Sequence, residues 1–118
     1  ERSGMQVVRA VGGRAPLHLT SVGKLFLASE DRERVRAYAA RTGLAGQTRN
    51  SITQLPALER ELDTVRSLGF ARDDEELEIG VRCVAAGIYD DSDRLVAGLS
   101  ISATARQISA ALGQRQGA

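Results

Sequence analysis

Tryptophan is absent from the sequence, and two tyrosines and two phenylalanines supply all of its larger aromatic rings. A surface that stacks on nucleic-acid bases or sugar rings needs more of them. The one cysteine, Cys83, has no second cysteine for an internal disulfide, which suits a reducing compartment, so we expect a cytoplasmic protein. No apolar run approaches the length of a membrane-spanning helix, and we expect no membrane partner.

Neither sign of charge prevails, because 16 basic residues stand against 15 acidic ones. The chain therefore has no electrostatic reason to bind a phosphate backbone by itself. Its 118 residues are the length of one domain, which we take to span 1–118. Because the first residue is Glu1 rather than methionine and a predicted strand follows at once, we expect the chain to be a fragment of a longer protein.

The apolar pattern predicts an α+β domain in which helices cover an antiparallel sheet. Strands are predicted over residues 5–11, 81–89 and 95–102, and a polar turn joins the last two as a hairpin. Polar caps and apolar stripes at helical spacing predict helices that begin at Thr20 or Ser21, Ser29, Thr53 and Thr104.

Glycines are predicted to end two of these helices, at Gly43 and Gly69. The third helix should bury one face, formed by Leu58, Leu62, Val65 and Leu68. Residues 44–51 are rich in glycine and polar residues without a period, so we expect a loop there, and the most mobile segment of the chain.

Alternation along the two late strands groups their small polar side chains. Ser100 and Ser102 share one face of the last strand, and Val81, Cys83 and Ala85 share a face of the strand before it. Hydroxyls, a thiol and small apolar groups suit the floor of a shallow pocket for a small polar ligand. The simpler interpretation is that both serines point to water, and alternation alone favours it.

Two further segments carry polar groups that could meet a ligand. Residues 73–76 place four acids in a row, a pattern most typical of a solvated surface, and carboxylates alone are weak evidence for a metal. We predict no metal and no cofactor. A helix that starts within residues 18–24 would direct free N–H groups at an anion, and Gly23 would let a ligand approach closely. An ordinary capped helix explains the same residues.

A catalytic set can also be assembled from the sequence. Cys83, His18 and Asp73 would supply a nucleophile, a base and an orienting group. A lone cysteine in an apolar strand is usually inert, and nothing around this one activates a thiol. We therefore predict that the chain is not an enzyme. A cysteine- or metal-dependent enzyme, and a module that only dimerises, are the alternatives.

Four segments in order resemble the IclR (isocitrate lyase regulator) family of transcription regulators. Residues 16–28, PLHLTSVGKLFLA, resemble its segment PLHATAxGKALLA, and residues 51–53 resemble its TIT before a helix. Residues 69–86, GFARDDEELEIGVRCVAA, resemble its GYAxDDEExxxGVRCxAAP, and residues 99–102 resemble its strand LSVSGP. Four matches in the right order are more specific than any one of them.

The resemblance implies a GAF-like effector-binding domain, in which an antiparallel sheet flanked by helices forms a cup for a small organic ligand. It also implies a DNA-binding winged helix-turn-helix domain that this chain does not include, and assembly into homodimers or tetramers. We therefore expect the effector-sensing and oligomerisation domain of a regulator, with a small organic acid as its ligand.

The ligand contacts that the resemblance implies are two residues at the helix start, one acid and four strand residues: Ser21, Val22, Asp73, Val81, Cys83, Ser100 and Ser102. The family commonly has alanine or glycine at the helix start. The larger Val22 would narrow the cup, and Ser21 adds a hydroxyl.

Overall fold

The computed structural model describes residues 6–10, as backbone alone, and residues 15–104 with their side chains. The elements in chain order are β1 (Gln6–Ala10), a short 3-10 turn (Leu17–Leu19), α1 (Ser21–Ala28), α2 (Arg32–Thr42), α3 (Leu55–Leu68), β2 (Phe70–Asp74), β3 (Val81–Tyr89) and β4 (Leu95–Thr104). These strands form one antiparallel sheet in the order β1-β4-β3-β2. The predicted α+β class and the hairpin of β3 and β4 are confirmed.

Short polar side chains begin the first two helices. The Gly23 N–H donates to Thr20 Oγ1 at the start of α1, at 3.1 Å. Asp31 caps α2 by accepting from the Arg34 N–H at 2.9 Å, so the prediction of Ser29 as this cap was wrong. Ser29 instead ends α1, where its hydroxyl donates to the Phe26 carbonyl.

The third helix differs from its prediction in its N-terminal cap and in the burial of its last residue. Gln54, not Thr53, is the residue before its first turn, and its side chain makes no capping bond. Leu58, Leu62 and Val65 are buried as predicted, but Leu68 is half exposed. Gly69 ends the helix with a φ of 83°, and Gly43 ends α2 with a φ of 67°, as predicted.

Two apolar clusters meet across α1. One side of α1 packs on the sheet, where Val22 and Leu25 contact Ala71 and Ala85. The other side contributes Leu27 to a cluster with α2 and α3, which also contains Val35, Tyr38, Leu44, Leu58 and Leu62. α1 is therefore held between the sheet and the outer helices, and its first turn cannot shift without disturbing one cluster.

Two elements were not predicted: the 3-10 turn Leu17–Leu19 and the strand β2. Conversely, the predicted helix from Thr104 lies outside the described residues except for Thr104 itself, which ends β4. The first and last residues of the predicted strand 5–11 lie outside them too.

Residues 44–51 lack regular structure, as predicted, but several contacts hold them. Leu44 is buried, and the Ala45 carbonyl lies 2.8 Å from His18 Nε2. The Thr48 and Ser51 hydroxyls donate to backbone carbonyls of the turn after β2, at 2.7 and 2.6 Å. These anchors do not support the expectation that this is the most mobile part of the chain.

Candidate functional site

Three predicted site residues form one row across the sheet. Asp73 on β2 lies opposite Cys83 on β3, and Cys83 lies opposite Ser102 on β4. The next row toward the other end of the strands consists of Ala71, Ala85 and Ser100, in the same register. Because side chains two residues apart share a face, both rows point the same way.

This face is the one that the helices cover. Ser100 is 6% exposed, whereas its neighbours Leu99 and Ile101 are 43% and 42% exposed. Alternation paired these residues correctly, but the simpler expectation that both serines point to water was wrong: Ser100 is buried and Ser102 half-buried. The hydroxyls of β4 lie on the helix side of the sheet, and Leu99 and Ile101 lie on the open face.

The start of α1 closes over the two rows. Ser21 and Val22 are buried. A Cβ atom on Gly98 of β4 would lie 2.8 Å from Val22 Cγ1, so the missing side chain lets this helix approach the sheet closely. Val22 packs with Ala71 and Ala85 of the second row, while Val81 lies half-buried at the end of β3, opposite Thr104.

Gly23 serves a different purpose from the one predicted. A Cβ atom there would lie 2.4 Å from the Leu17 carbonyl oxygen and from Thr20 Oγ1. The chain's own 3-10 turn, not a ligand, occupies the space beside this glycine. Since Thr20 takes the Gly23 N–H, the N–H groups of Ser21 and Val22 are the remaining donors without an intrahelical partner.

Asp73 is 2% exposed, and its environment favours the protonated acid. Burial raises the pKa of Asp73 to about 6, with a smaller contribution from the nearby Glu76 carboxylate. The Glu76 N–H, which donates to Asp73 Oδ1 at 2.8 Å, and the Lys24 charge oppose that rise. At pH 7 this group is therefore mostly ionised and can accept hydrogen bonds.

Cys83 is half-buried beside that acid. Burial raises the pKa of the Cys83 thiol, the Asp73 charge raises it further, and a hydrogen bond with Ser102 lowers it. A thiol with a raised pKa holds its proton at neutral pH and is a poor nucleophile. Cys83 is therefore better suited to line a binding site than to attack a substrate.

Lys24 is the feature of this site that the sequence did not indicate. Its side chain is 0% exposed, and its Nζ lies 2.8 Å from Glu61 Oε2, 2.8 Å from Glu76 Oε1 and 2.7 Å from the Arg72 carbonyl oxygen. The buried amino group thus joins α1 to α3, to β2 and to the turn after β2. These partners lie 37 to 52 residues away in sequence, so no local pattern points to them.

Glu76 is the matching centre on the turn after β2. Its carboxylate accepts from the Asp74 N–H at 2.9 Å, its own N–H donates to Asp73, and its carbonyl accepts from Thr48 and Ser51. The residue before it, Glu75, has a φ of 60°, a left-handed conformation that is unfavourable for a residue with a side chain. Side-chain contacts therefore stabilise this turn in a backbone conformation that is unfavourable by itself.

His18 is bound to Tyr38 and Ala45 rather than to Cys83 or Asp73. Its Nδ1 lies 2.7 Å from the Tyr38 hydroxyl and its Nε2 lies 2.8 Å from the Ala45 carbonyl, so both ring nitrogens are bound to the protein. The imagined set of Cys83, His18 and Asp73 is therefore not assembled. Among residues 15–104, no three histidine, cysteine or acidic side chains group as metal ligands do.

An open cavity of about 540 Å³ lies on the other side of the turn after β2. Its lining is largely charged: Asn50, Ile52, Arg72, Asp74, Glu75, Glu76 and Arg82. None of the seven predicted contacts lines it. In the part of the chain that the structure describes, no helix is both long and apolar enough to cross a membrane.

Comparison with known proteins gives a consistent picture. A family model for the C-terminal part of the bacterial transcriptional regulator IclR matches residues 1–117. The transcriptional repressor AllR of Klebsiella pneumoniae is 36% identical over 107 residues, which are 91% of this chain and 39% of AllR. The chain spans less than half the length of the curated relatives that it matches.

Two solved structures are similar in fold as well as sequence. The C-terminal domain of the Escherichia coli regulator KdgR has a TM-score of 0.73 and 32% identity, over 85% of this chain and 70% of that one. The inducer-binding domain of PobR from Acinetobacter, a double mutant in complex with 3-hydroxybenzoic acid, has a TM-score of 0.76 and 30% identity. That match covers 82% of this chain and 55% of the PobR chain.

Proposed function

Because the chain belongs to the IclR family of bacterial transcriptional regulators and matches its C-terminal domain, we propose that it senses a small organic acid that carries a hydroxyl or keto group. Its relatives are regulators of transcription, and the chain is not an enzyme. The effector would bind between the start of α1 and the sheet, at a site that we call the cup and that would be formed by Ser21, Val22, Asp73, Val81, Cys83, Ser100 and Ser102.

The observation that carries the proposal is the row of Asp73, Cys83 and Ser102 on the face of the sheet against which α1 packs. An organic acid would direct its carboxylate at the Ser21 and Val22 N–H groups, because a helix start favours negative charge. Asp73 would accept a hydrogen bond from the effector's hydroxyl or from a bound water.

The other members of the cup would complete its walls. Ser100 and Ser102 would donate hydrogen bonds, while Val81, Cys83 and Val22 would supply apolar surface and limit the size of the effector. The PobR inducer-binding domain, which is similar in fold, is in complex with 3-hydroxybenzoic acid, a ligand with one carboxylate and one hydroxyl. That division of groups suits a cup with donors at one end and an acid at the other.

The whole protein's action extends the proposal. We expect it to bind DNA through a winged helix-turn-helix domain outside this chain, to form dimers or tetramers and to work in the cytoplasm. An effector can shift such a regulator only by the difference between its affinities for two states. Residues 44–51, which contact the turn beside Asp73, are the segment through which that difference would be expressed.

Titration calorimetry of small organic acids, 3-hydroxybenzoate included, tests the cup. Ser100→Ala should weaken binding of whichever acids bind by about tenfold, since it removes one hydrogen bond to the effector. Ser92→Ala, in the exposed turn between β3 and β4, is the matched control and should bind as the unaltered chain does. If Ser100→Ala binds the acids as tightly as Ser92→Ala does, the effector does not occupy this site.

The alternatives predict other results. A cysteine- or metal-dependent enzyme would show turnover that iodoacetamide or a chelator abolishes. The melting temperature of a module that only dimerises would not rise with any acid, whereas an effector-binding domain is stabilised by its ligand.

A further inference from the structure

Lys24 cannot itself contact an effector. Its amino group offers three protons, and three oxygen partners on α3, β2 and the following turn take them: Glu61, Glu76 and the Arg72 carbonyl. The group is also closed off from solvent. Any influence of Lys24 on the cup must therefore pass through the atoms that it holds.

The path from Lys24 to the cup is short. Glu76, whose carboxylate Lys24 binds, donates its N–H to Asp73 Oδ1. On its own helix, Lys24 follows Ser21 by one turn, so the same turn of α1 carries both the effector contact and the amino group. Through Lys24 and Glu76, the two ends of the cup are fixed to one another.

The charges make this arrangement depend on the amino group. Glu76 and Asp73 are both buried, and the Glu76 charge raises the pKa of Asp73. Without a cation between α1 and the turn, Glu76 would be a buried charge with its main partner removed, which proteins relieve by moving the group toward water. The strained backbone at Glu75 would favour the same movement.

We propose that Lys24 and Glu76 are positioning residues of the cup, which hold the Asp73 carboxylate against Cys83 and beneath the start of α1 without touching the effector. The consequence for binding rests on the proposed function; the positioning of Asp73 does not. The two are therefore tested by separate measurements.

The pH profile of Cys83 alkylation reports the position of Asp73. Cys83 is the one cysteine of the chain, so the rate of its reaction with iodoacetamide is assigned without ambiguity. In the described residues, Asp73 is the charged group that acts on this thiol, and it raises the pKa of Cys83. If Asp73 moves away from Cys83, the pKa of the thiol falls. If the Lys24 charge is lost and Asp73 stays in place, the pKa of the thiol rises.

Lys24→Met separates the two effects, because they have opposite signs. If Lys24 positions Asp73, the midpoint of the alkylation profile falls by about half a pH unit, and alkylation at neutral pH becomes roughly two- to threefold faster. Arg34→Met is the control, since the Arg34 side chain makes an exposed ion pair with Glu30 and its loss should leave the profile unchanged. Measurement well below each variant's melting temperature removes the contribution of unfolded chains.

Lys24→Gln covers the case in which Lys24→Met does not fold. It removes the positive charge but keeps an amide that can donate to Glu76 or to the Arg72 carbonyl, so it should lower the midpoint in the same direction by less. A midpoint that rises or stays unchanged in the folded variants overturns the proposal. A lowered midpoint in an unaltered fold supports it.

Binding is the second measurement, with the acids that the unaltered chain binds. Both variants should lose affinity by fivefold or more, on the order of 1 kcal/mol of binding free energy. A chain that binds none of the acids counts against the proposed function and leaves the alkylation result to decide the positioning. Affinity that is retained while the midpoint falls would show that Asp73 is not an effector contact.

Discussion

Asp73 and Cys83 lie directly opposite each other on β2 and β3, on the face of the sheet that α1 covers. Burial raises the pKa of both groups, and the Asp73 charge adds to the rise at the thiol. These two residues of the proposed cup are therefore polar, and their surroundings disfavour the charged form of each. Such a pair suits hydrogen bonding to an effector's hydroxyl better than nucleophilic chemistry.

Asp73→Asn should stabilise the chain in a pH-dependent way. The folded-state pKa of about 6 lies above the value of 3.8 for an unperturbed aspartate, so the folded chain holds this proton more tightly than the unfolded chain. Stability from the protonated acid is present below pH 3.8 and is lost as the pH rises through 6. Above pH 6 the variant should be more stable by about 1–2 kcal/mol.

Urea unfolding across this pH range measures the effect. The two chains should converge at the acid end, and Asp91→Asn, in an exposed turn, should show no such divergence. Equal stability of Asp73→Asn and the unaltered chain at pH 8 would contradict the assigned environment of Asp73.

Tyr38→Phe should destabilise the fold, although it removes only the hydroxyl oxygen of the side chain. The Ala45 carbonyl can only accept, so His18 carries its proton on Nε2, and Nδ1 accepts from the Tyr38 hydroxyl. The same hydroxyl accepts from the His18 N–H at 3.2 Å. Phenylalanine leaves both buried groups unpaired, at a cost of about 1–3 kcal/mol in unfolding free energy. Tyr89→Phe, on a half-exposed ring, should cost far less in the same thermal unfolding measurement.

Gly23→Ala should cost more stability than Gly87→Ala. A Cβ atom on Gly23 meets backbone atoms of Leu17 at 2.4 and 2.5 Å, which can move only if the 3-10 turn moves. At Gly87 the nearest atoms belong to the side chains of Leu95 and Tyr89, which can rotate away. We expect losses of about 3 kcal/mol and about 1 kcal/mol, typical of overpacking against rigid and yielding neighbours. The reverse order of melting temperatures would show that the 3-10 turn is easily displaced.

Val22→Ala should change which acids bind. Val22 Cγ1 lies where a side chain on Gly98 would stand, so in the proposed cup the loss of Val22 should open space for an effector with one or two more carbon atoms. Calorimetry should show a gain for the larger acids and a loss for the smallest. Leu68→Ala, a truncation of a half-exposed side chain on α3, should leave the order of affinities unchanged.

Alternation and helical spacing were enough to predict β3, β4 and the buried face of α3, because these elements each bury one side of a regular pattern. β2 was not predicted, since it is five residues long and ends in Asp73 and Asp74, which are uncommon in strands. The acidic run was expected to be solvated, yet it contains the buried Asp73 and Glu76.

The positions of the cup residues were predicted by family resemblance, and the register of β2, β3 and β4 brings them to one face. The burial of Lys24 could not be predicted from the sequence, because its partners come from distant segments that only folding brings together. The roles of the cup residues as effector contacts remain predictions.

The contacts of Lys24 and Glu76 have a consequence for how copies of the chain behave when crowded. β2 is an outer strand of the described sheet, and a strand in that place exposes backbone groups that can pair with another molecule. Lys24 occupies the Arg72 carbonyl and the Glu76 carboxylate occupies the Asp74 N–H, two groups that such pairing would need. The ion pair of Lys24 and Glu76 should thus also hinder pairing between the β2 strands of two molecules. A variant that lacks it should precipitate at a lower protein concentration.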